Sequence, residues 1–387
     1  MPDVAAVRAF LDPSHLELEA RFAGFAANQV APLPAPHSDD DARAQARALA
    51  GQLGKGGWLR PIGERDLRAC CLIRETLAAA SPLADAVFAL QALGATPLVL
   101  AGTEAQKRQW LDPTLSGHAV AAFAMTEPGA GSDVSAMTTR AEPDGAGYRL
   151  SGSKTLISNA GLADYYVVFA SADPGSGSKG VGCFVVPADA PGLRFVGAQV
   201  LSAPHPLGDI TLEDCPVSPQ GVLAAPGDGL KLGFATLDRL RATVGAAACG
   251  MAARALAEAL EHVRTRKQFG RALAEFQLTQ EKLARMTTDL TAARLLVYRA
   301  AADQDAGREP VTAQSAMAKA FATEAAQRIV DDAVQLLGGR ALLAAHPVDR
   351  LYRAVRALRI YEGTTEIQHL IIARQLLGSD RGPAASS

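Results

Sequence analysis

Residues 122–134 read AFAMTEPGAGSDV, and this stretch changes character at Thr126. The apolar half before Thr126 predicts a β-strand, and the half rich in Pro, Gly and Ser predicts a turn. Glycines let a backbone come close to a ligand, and clustered N–H groups together with Ser132 are able to hold an anionic phosphate. The alternative is an ordinary turn between strands, because most Gly-Pro turns have no further role. By itself the stretch leaves both interpretations open.

Strand patterns continue on the C-terminal side of this stretch to about Leu223. Residues 165–170 and 181–186 are short β-branched or aromatic runs, bounded by the turns PDGAG, DPGSGSKG and ADAPG. The sequence GSKTLISNAG, residues 152–161, also leaves a predicted strand and offers polar Ser158 and Asn159 beside apolar residues. We therefore predict a β domain in the middle of the chain.

Helical patterns flank the predicted β domain on both sides. Residues 16–111 are rich in Ala, Leu, Arg and Glu, with loop signals at 32–36 and 61–63. From Gly229 onward, apolar residues recur every three or four positions, from Leu237 to Ala255 and again from Leu283 to Ala300. The predicted fold class is α+β, with a helical domain at 1–118, a β domain at 119–225, a helical bundle at 226–380 and a disordered tail at 381–387.

The composition is that of an ordinary globular protein. The 387 residues are 49% hydrophobic and 20% charged, with a formal net charge of -2 and interspersed signs. This balance gives no reason to expect a nucleic-acid or anionic-membrane partner. The five cysteines show neither a CxxC pair nor metal-ligand spacing with His, which predicts reduced thiols, no metal site and a cytoplasmic setting.

Targeting and membrane signals are also weak in this sequence. The first residues, MPDVAAVRAFLDPSHLELEA, contain acids and Pro where a signal peptide needs a basic start and an apolar run. Residues 242–253, which we take as the longest apolar stretch, are too short to cross a bilayer. We therefore expect neither secretion nor a transmembrane span.

Two further motifs lie in the C-terminal half. Residues 238–277 begin DRLRATVG and end RTRKQFGRALAEFQ, where a cation at Arg266 precedes a helix break at Gly270. A plain surface Arg beside a helix end is the alternative. In LYRAVRALRIYEGTTEIQ, residues 351–368, Glu362 precedes Gly363 and is predicted to lie on a non-helical joint. An acid at such a joint is able to point into an interior cavity, and the alternative is a solvated loop acid.

Taken together, these stretches resemble the acyl-CoA dehydrogenase family. AMTEPGAGSDV is similar to the family's flavin-binding signature, and the words from DRLRA through KQFGRALAEFQ to IYEGTTEIQ resemble its C-terminal domain. The upstream sequence GTEAQKRQWLDPTLSGHAVAAFAMTE resembles the family's approach to its β domain. The likeness covers about residues 102–378, and before residue 93 it is only positional. It implies an N-terminal helical domain, a middle β-barrel or sandwich domain and a C-terminal four-helix bundle.

The resemblance also implies an FAD site between the β domain and the bundle. Toward the flavin ring and phosphates it places Phe123, Met125, Thr126 and Ser132, and against the ring's other face Leu156, Ile157 and Ser158. Toward the adenine and pyrophosphate of a neighbouring subunit's FAD it places Arg266, Gln268, Phe269, Phe276, Gln277, Gln335, Leu336, Gly338 and Gly339. Thr364, Thr365 and Glu366 would close over the dinucleotide. A shared site of this kind implies a homo-oligomer, dimer or tetramer, or a heteromer with a related subunit.

The implied reaction is removal of two hydrogens from an acyl-CoA thioester. Glu362 is the implied base for the α-proton, and substrate-side positions match Ser132, Asp238, Arg241 and Gly363. Burial between an acyl chain and a flavin would raise the pKa of a carboxylate and make it a competent base. The Glu362 N–H and a ribityl hydroxyl would stabilise the enolate oxygen. The products are a trans-2-enoyl-CoA and reduced FAD, with electron-transfer flavoprotein as the implied acceptor.

Several positions depart from the family pattern. Leu156 replaces an aromatic residue that would stack on the flavin, and Ala354 stands where an Asp usually accompanies Arg353 and Arg356. The QLLGG run continues as RALL, and the N-terminal region has only GGWLRPIG where a Gly-rich loop is usual. Leu240 occupies the place where some members keep the base, which leaves Glu362 with only Asp238 as a nearby rival carboxylate.

Three alternatives therefore stay open at the level of sequence. A mainly structural subunit of a heteromeric dehydrogenase is one, although Glu362 and Arg266 are both retained. A flavin oxidase or monooxygenase of the same fold is another, and the Glu of the EGT motif favours thioester oxidation over monooxygenase chemistry. Arg241 is either a group near the base or a surface cation on an amphipathic helix.

Overall fold

The computed structural model describes residues 4–308 and 311–378, so the predicted tail at 381–387 lies outside the described residues. Helices form where Ala- and Leu-rich segments carry an apolar stripe, and several begin at a Ser or Thr cap. In chain order they are α1 Val4–Val7, α2 Pro13–Phe25, α3 Asp39–Lys55, α4 Arg60–Glu64, α5 Leu67–Ala80, α6 Pro82–Ala101, α7 Glu104–Gln106, α8 Asp112–Leu115, α9 Gly229–Thr265, α10 Gln277–Asp305, α11 Thr312–Leu337, α12 Pro347–Leu358 and α13 Thr365–Leu376.

The strands lie almost entirely in the middle of the chain. They are β1 Ala121–Ala124, β2 Arg140–Asp144, β3 Gly147–Ser158, β4 Tyr165–Ser171, β5 Val181–Pro187, β6 Leu193–Ala198, β7 Leu207–Val217, β8 Val222–Ala224, β9 Lys267–Gln268 and β10 Arg271–Ala272. The first eight form one sheet in the order β6-β7-β3-β2-β4-β5-β8, with β1 pairing parallel to β4. The predicted order of N-terminal helices, a middle β domain and a C-terminal helical domain is confirmed.

By contacts the chain forms two compact units. The helical unit contains residues 4–23, 67–79 and the described part of 241–378, and the sheet unit contains residues 24–66 and 80–240. The first α-helices are therefore divided between the two units. The predicted domain boundaries at 118 and 225 stay predictions.

The core of the sheet unit is built around β4. All of its residues are buried, which explains its continuous apolar run, because a strand covered on both faces has no polar alternation. Tyr166, Phe184 and Ile210 are among the side chains of one cluster between the strands. Tyr165 is buried as well, and its hydroxyl lies 3.1 Å from the Thr114 hydroxyl of α8.

One helix of the sheet unit is longer and more apolar than the stretch we selected from the sequence. Among the described residues, α6 is the helix that is long and apolar enough to cross a membrane by length and composition, and most of it is buried. It packs on α3 and β1 within its own unit, as a core helix does. The expectation that residues 242–253 form the longest apolar stretch was wrong. Helix α6 is a longer apolar segment, and only isolated polar residues interrupt it.

The helical unit is held together by close helix packing. A Cβ added at Gly250 of α9 would lie 2.1 Å from the backbone oxygen of Glu75 on α5, so the two helices touch through backbone. The buried Glu75 carboxylate accepts bonds from Arg294 Nε at 2.8 Å and from the Tyr298 hydroxyl at 2.9 Å, both on α10. This network satisfies charges that would be costly to bury alone.

Candidate functional site

In the sheet unit, the end of β1 is held by bonds from β3. The Thr155 N–H donates to the Thr126 carbonyl at 3.0 Å, and Lys154 Nζ donates to the Met125 carbonyl at 3.2 Å. A Cβ at Gly233, at the start of α9, would lie 2.5 Å from Met125 Cε, so the helix also packs closely here. The Thr126 turn therefore leaves the sheet at a fixed position.

A buried ion pair supports the same turn. Glu127 Oε1 lies 2.7 Å from Lys154 Nζ, and Glu127 also accepts bonds from the backbone and side chains of Thr138 and Thr139. Burial pushes the pKa of Glu127 upward, but the Lys154 charge and these hydrogen bonds outweigh it and lower the pKa from 4.5 to about 2. Burial lowers the pKa of Lys154 from 10.5 to about 8, against the opposing effect of Glu127.

The glycines after Glu127 are exposed and have no packing reason to be glycine. Among the described residues, nothing lies within 4 Å of a Cβ added at Gly129 or Gly131, and neither has a positive φ. Ser132 beside them is also exposed. Close packing and a positive φ therefore do not explain the glycines at 129 and 131. Another reason for glycine is the close approach of a bound group to the backbone. The backbone of the predicted phosphate-binding turn is therefore open to an approaching group.

Leu156, which is predicted to lie against the flavin ring, is on β3 where the pairing register with β7 shifts between Lys154 and Ile157. Its φ is 54°, a conformation that costs free energy for a residue with a branched side chain, and 52% of its surface is exposed. Asp209 holds it there, because Asp209 Oδ1 accepts from the Leu156 N–H at 3.2 Å and from the Thr155 hydroxyl at 2.7 Å. An apolar side chain is thus held outward from the sheet.

The two following residues differ in accessibility. Ile157 is buried in the strand core, so its side chain supports the sheet rather than an open surface. Ser158 is half-buried, and its hydroxyl lies 3.3 Å from His205 Nε2. Burial lowers the pKa of His205 to about 4, against the opposing charge of Asp39, so His205 is neutral at pH 7.

In the helical unit, Glu362 lies on the joint between α12 and α13. Its φ is 54° and that of Gly363 is 90°, so the chain passes through two successive left-handed residues. Gln368 Nε2 on α13 donates to the Glu362 carbonyl at 3.2 Å and to the Gly363 carbonyl at 3.0 Å. The Oε2 atom of Glu362 is shielded from solvent. A carboxylate is therefore held on a strained, bonded turn rather than on a solvated loop.

Two buried cations accompany Glu362 in the same unit. Arg241 on α9 is 4% exposed, and burial lowers its pKa to about 10 while the Glu362 charge works in the opposite direction. Lys319 on α11 is fully buried, and burial lowers its pKa to about 8, again opposed by the Glu362 charge. Arg241 is therefore not a surface cation.

The remaining predicted residues of the helical unit fall into two places. Thr364 caps α13 by accepting from the Ile367 N–H at 3.4 Å, and the Thr365 hydroxyl donates to Glu324 at 2.8 Å. Thr365 is buried and Glu366 is exposed, so the three residues that were predicted together differ in accessibility, and their role toward the dinucleotide stays a prediction.

The second place is the β9–β10 hairpin and the end of α11. Phe269 is 93% exposed with a φ of 51°, and its ring centroid lies 6.4 Å from that of Phe276. The other predicted dinucleotide residues of these two segments are exposed or half-exposed: Arg266, Gln268, Gln277, Gln335, Leu336, Gly338 and Gly339. Among the described residues, nothing lies within 4 Å of a Cβ added at Gly339. Both segments are therefore accessible from solvent.

Phe123 and Asp238 complete the predicted set in the sheet unit. The Phe123 ring lies 4.9 Å from that of Phe169, which ties it into the sheet, and Asp238 is half-buried on α9. Sequence reasoning missed Lys319, Asp209 and Gln368, which hold predicted site residues in place. The signal for Lys319 was a cation among the alanines in the first half of α11. Within the described residues, no cluster of His, Cys, Asp and Glu is suited to a metal ion.

Comparisons with known proteins find similarity to acyl-CoA dehydrogenases along most of the chain. Family models match for the N-terminal domain of acyl-CoA dehydrogenases at residues 12–118, the middle domain at 122–215 and the C-terminal domain at 227–377. A 3-(aryl)acrylate reductase of Clostridium sporogenes (strain ATCC 15579) is 41% identical over 315 residues, which cover 81% of this chain and 83% of the relative.

Two further similar proteins are acyl-CoA dehydrogenases. The mitochondrial short-chain specific acyl-CoA dehydrogenase of Rattus norvegicus is 40% identical over 291 residues, which cover 74% of this chain and 69% of the relative. Among solved structures, butyryl-CoA dehydrogenase from Megasphaera elsdenii superposes with a TM-score of 0.88 at 32% identity, covering 95% of this chain and 99% of that one.

Proposed function

The chain belongs to the acyl-CoA dehydrogenase family, and from this premise we propose that Glu362 is the base with which it desaturates an acyl-CoA thioester. The observation that carries the proposal is the setting of Glu362: a left-handed joint, a carboxyl oxygen shielded from solvent, and two buried cations whose pKa values respond to its charge. Nearby cations favour the ionised carboxylate, which is the form that accepts a proton.

Glu362 removes the α-proton of the thioester in the proposed reaction. A carbon acid of this kind is weak, so the base has to be fixed in direction as well as in charge. The bonds from Gln368 and the left-handed backbone provide that fixation. FAD, when bound, accepts the hydride from Cβ, so the substrate loses a proton and a hydride and becomes a trans-2-enoyl thioester.

The residues present fit FAD, and we assign them as the family likeness implies. In the sheet unit, Thr126, Ser132 and the backbone of Gly129 and Gly131 would hold the flavin and its phosphates, with Leu156 as an apolar wall. In the helical unit, Arg266, Phe269 and Gly339 would hold the adenine end of an FAD. A shared FAD of this kind would require an oligomer.

The substrate class is proposed to be a short or aryl-substituted acyl-CoA. The short-chain and butyryl-CoA enzymes among the relatives support a small acyl group. The relative that reduces 3-(aryl)acrylates acts on an α,β-unsaturated acid, which is the product side of the same desaturation. Electron-transfer flavoprotein is the proposed acceptor, and the cytoplasm the proposed compartment.

The proposed function is tested with purified protein and anaerobic titration. We expect flavin absorbance in the preparation and its bleaching by one class in a panel of butyryl-, longer acyl- and 3-arylpropanoyl-CoA thioesters. Glu362→Gln removes the base but keeps size, and we expect the rate of bleaching to fall about 100- to 10,000-fold. Asp349→Asn on α12, whose carboxylate pairs with exposed Arg353, is the control and should bleach at the normal rate.

Other outcomes decide between the alternatives. Bleaching that survives in Glu362→Gln would mean that another group is the base. Rapid reoxidation of the bleached protein in air would identify an oxidase. A colourless protein that gains flavin only when a related subunit is co-expressed would support the heteromer with a mainly structural chain.

A further inference from the structure

Lys319 is a buried lysine among the alanines of α11. The whole residue is shielded from solvent, and its Nζ donates to the Gly363 carbonyl at 2.6 Å. The bond joins residues that lie 44 apart in sequence, on a helix and on the joint that carries Glu362. Helix α11 packs against both α12 and α13, the two helices that the joint connects.

The joint is held from two sides. Gln368 Nε2 donates to the carbonyls of Glu362 and Gly363 from α13, and Lys319 donates to the Gly363 carbonyl from α11. A Cβ added at Gly363 would lie 2.5 Å from Gln368 Nε2, so the approach is close as well as left-handed. Because a left-handed conformation is costly at Glu362, which is not a glycine, the joint persists only if such bonds hold it.

Stability alone gives little reason for a lysine at this position. Moving an ammonium out of water carries a large desolvation penalty, and an apolar side chain of similar length often fits a buried site as well or better. The charges that act on the pKa of Lys319 are those of Glu362 on the joint, Arg241 on α9, Glu324 on α11 and Glu366 on α13. The Glu362 charge has the largest effect of the four, so the ionisation of Lys319 and that of Glu362 are linked.

We propose that Lys319 is a positioning residue for the reaction: it fixes the Glu362–Gly363 joint through the Gly363 carbonyl, and its positive charge keeps the Glu362 carboxylate ionised. This inference rests on the proposed function of Glu362 as base. Lys319 itself touches no reacting atom in this role. It acts through the direction and the charge of Glu362.

Three substitutions separate the bond from the charge. Lys319→Met removes both, Lys319→Gln keeps a donor without charge, and Lys319→Arg keeps the charge. We expect Lys319→Met to lower kcat about 100-fold with a smaller change in KM, because a displaced base affects the chemical step more than binding. The acid limb of its kcat–pH profile should move to higher pH, since the carboxylate loses a neighbouring cation. Lys319→Arg should keep the limb at its wild-type position.

A second readout does not depend on turnover. Hydrogen exchange of peptides that cover residues 359–368 should become faster in Lys319→Met, and less so in Lys319→Gln. Arg328→Met is the matched control, because Arg328 lies on the same helix and pairs with Asp289 at an exposed site. It should leave exchange at the joint, kcat and the pH profile unchanged.

The outcomes are distinguishable from failure of the proposed function. Wild-type protein whose flavin no acyl-CoA reduces would contradict the proposed function, and exchange at the joint would still test the role of Lys319 in holding it. Wild-type activity, an unmoved acid limb or unchanged exchange in folded Lys319→Met would overturn the inference. If Lys319→Met does not fold, Lys319→Gln replaces it: this variant retains a donor to the carbonyl but removes the charge, so an unmoved acid limb of its kcat–pH profile would overturn the inference.

Discussion

Several residues that the sequence analysis predicts to be functional have a strained backbone conformation. Among the described residues, six non-glycine residues have a positive φ, and three of them, Leu156, Phe269 and Glu362, belong to the predicted site. Such conformations cost about 1–3 kcal/mol each and persist only where neighbours enforce them. Asp209 does so for Leu156, and Gln368 with Lys319 does so for the Glu362 joint. The strain therefore supports an assignment of function to these positions.

The departure at Leu156 leads to a prediction about flavin affinity. Leu156→Trp restores an aromatic surface at an exposed position, and we expect FAD to bind about 2- to 10-fold more tightly because ring stacking adds to apolar contact. Val196→Trp, at another exposed position on β6, is the control and should not change FAD affinity. Fluorescence titration of flavin-free protein measures both. Equal or weaker binding by Leu156→Trp would remove Leu156 from the flavin wall.

Among secondary-structure elements, the end of β1 is attached to β3 next to a buried ion pair. Lys154 on β3 bonds to the Met125 carbonyl and to Glu127, so one side chain fixes both the strand end and the turn after it. Ser132 lies in the loop after β1, and Leu156 lies on β3 two residues after Lys154. The positions of both residues therefore depend on how the end of β1 is attached to β3.

Removing one partner of this pair should destabilise the fold in a pH-dependent way. Glu127→Gln is expected to lower the free energy of unfolding by about 3 kcal/mol at pH 7, because Lys154 is left buried without its counter-charge. The pKa of Glu127 is lowered from 4.5 to about 2, so its contribution is complete above pH 4.5 and is lost as the pH falls towards 2.

Urea unfolding of wild type and Glu127→Gln at pH 7 and at pH 3 tests this dependence. The difference between the two proteins should be smaller at pH 3. Glu142→Gln, which disturbs an exposed pair with Arg140, should cost little at either pH. A difference that does not change with pH would show that Glu127 acts through packing and not through its charge.

At the scale of the whole molecule, distant segments complete the helical unit. Helix α5 belongs to the N-terminal third of the sequence but packs in the unit formed by α9, α10 and α11. Its Glu75 is bonded to Arg294 and Tyr298, which lie 219 and 223 residues away in sequence. Stability of this unit therefore depends on contacts that no local pattern contains.

A matched pair of glycine substitutions tests the close contact between α5 and α9. Gly250→Ala would place a Cβ 2.1 Å from the Glu75 backbone oxygen, and we expect a loss of about 1–3 kcal/mol from the forced separation of the helices. Gly24→Ala lies on α2, where nothing among the described residues is within 4 Å, and it should stabilise by about 0.5–1 kcal/mol through helix propensity. Thermal unfolding of both variants gives the signs. A stabilising Gly250→Ala would contradict the packing described for α9.

The sequence by itself determined the order of the α, β and α segments, the turn after Thr126 and the joint at Glu362. These features follow from local patterns: apolar periodicity, clustered glycines, and an acid before Gly363 between two helical stripes. The family likeness added named residues for FAD and substrate, and the roles of these residues are proposals.

Only the tertiary structure decided which side chains hold these motifs in place. Lys319 and Arg241 lie on helices whose pattern is equally compatible with exposed cations, yet both are buried. Helix α11 packs against α12 and α13, and Lys319 finds its acceptor on the joint between them. The pairs Glu127–Lys154 and Lys319–Gly363 span 27 and 44 residues. Such contacts form because burying a charge requires a partner wherever the chain brings one, and the local sequence does not specify that partner.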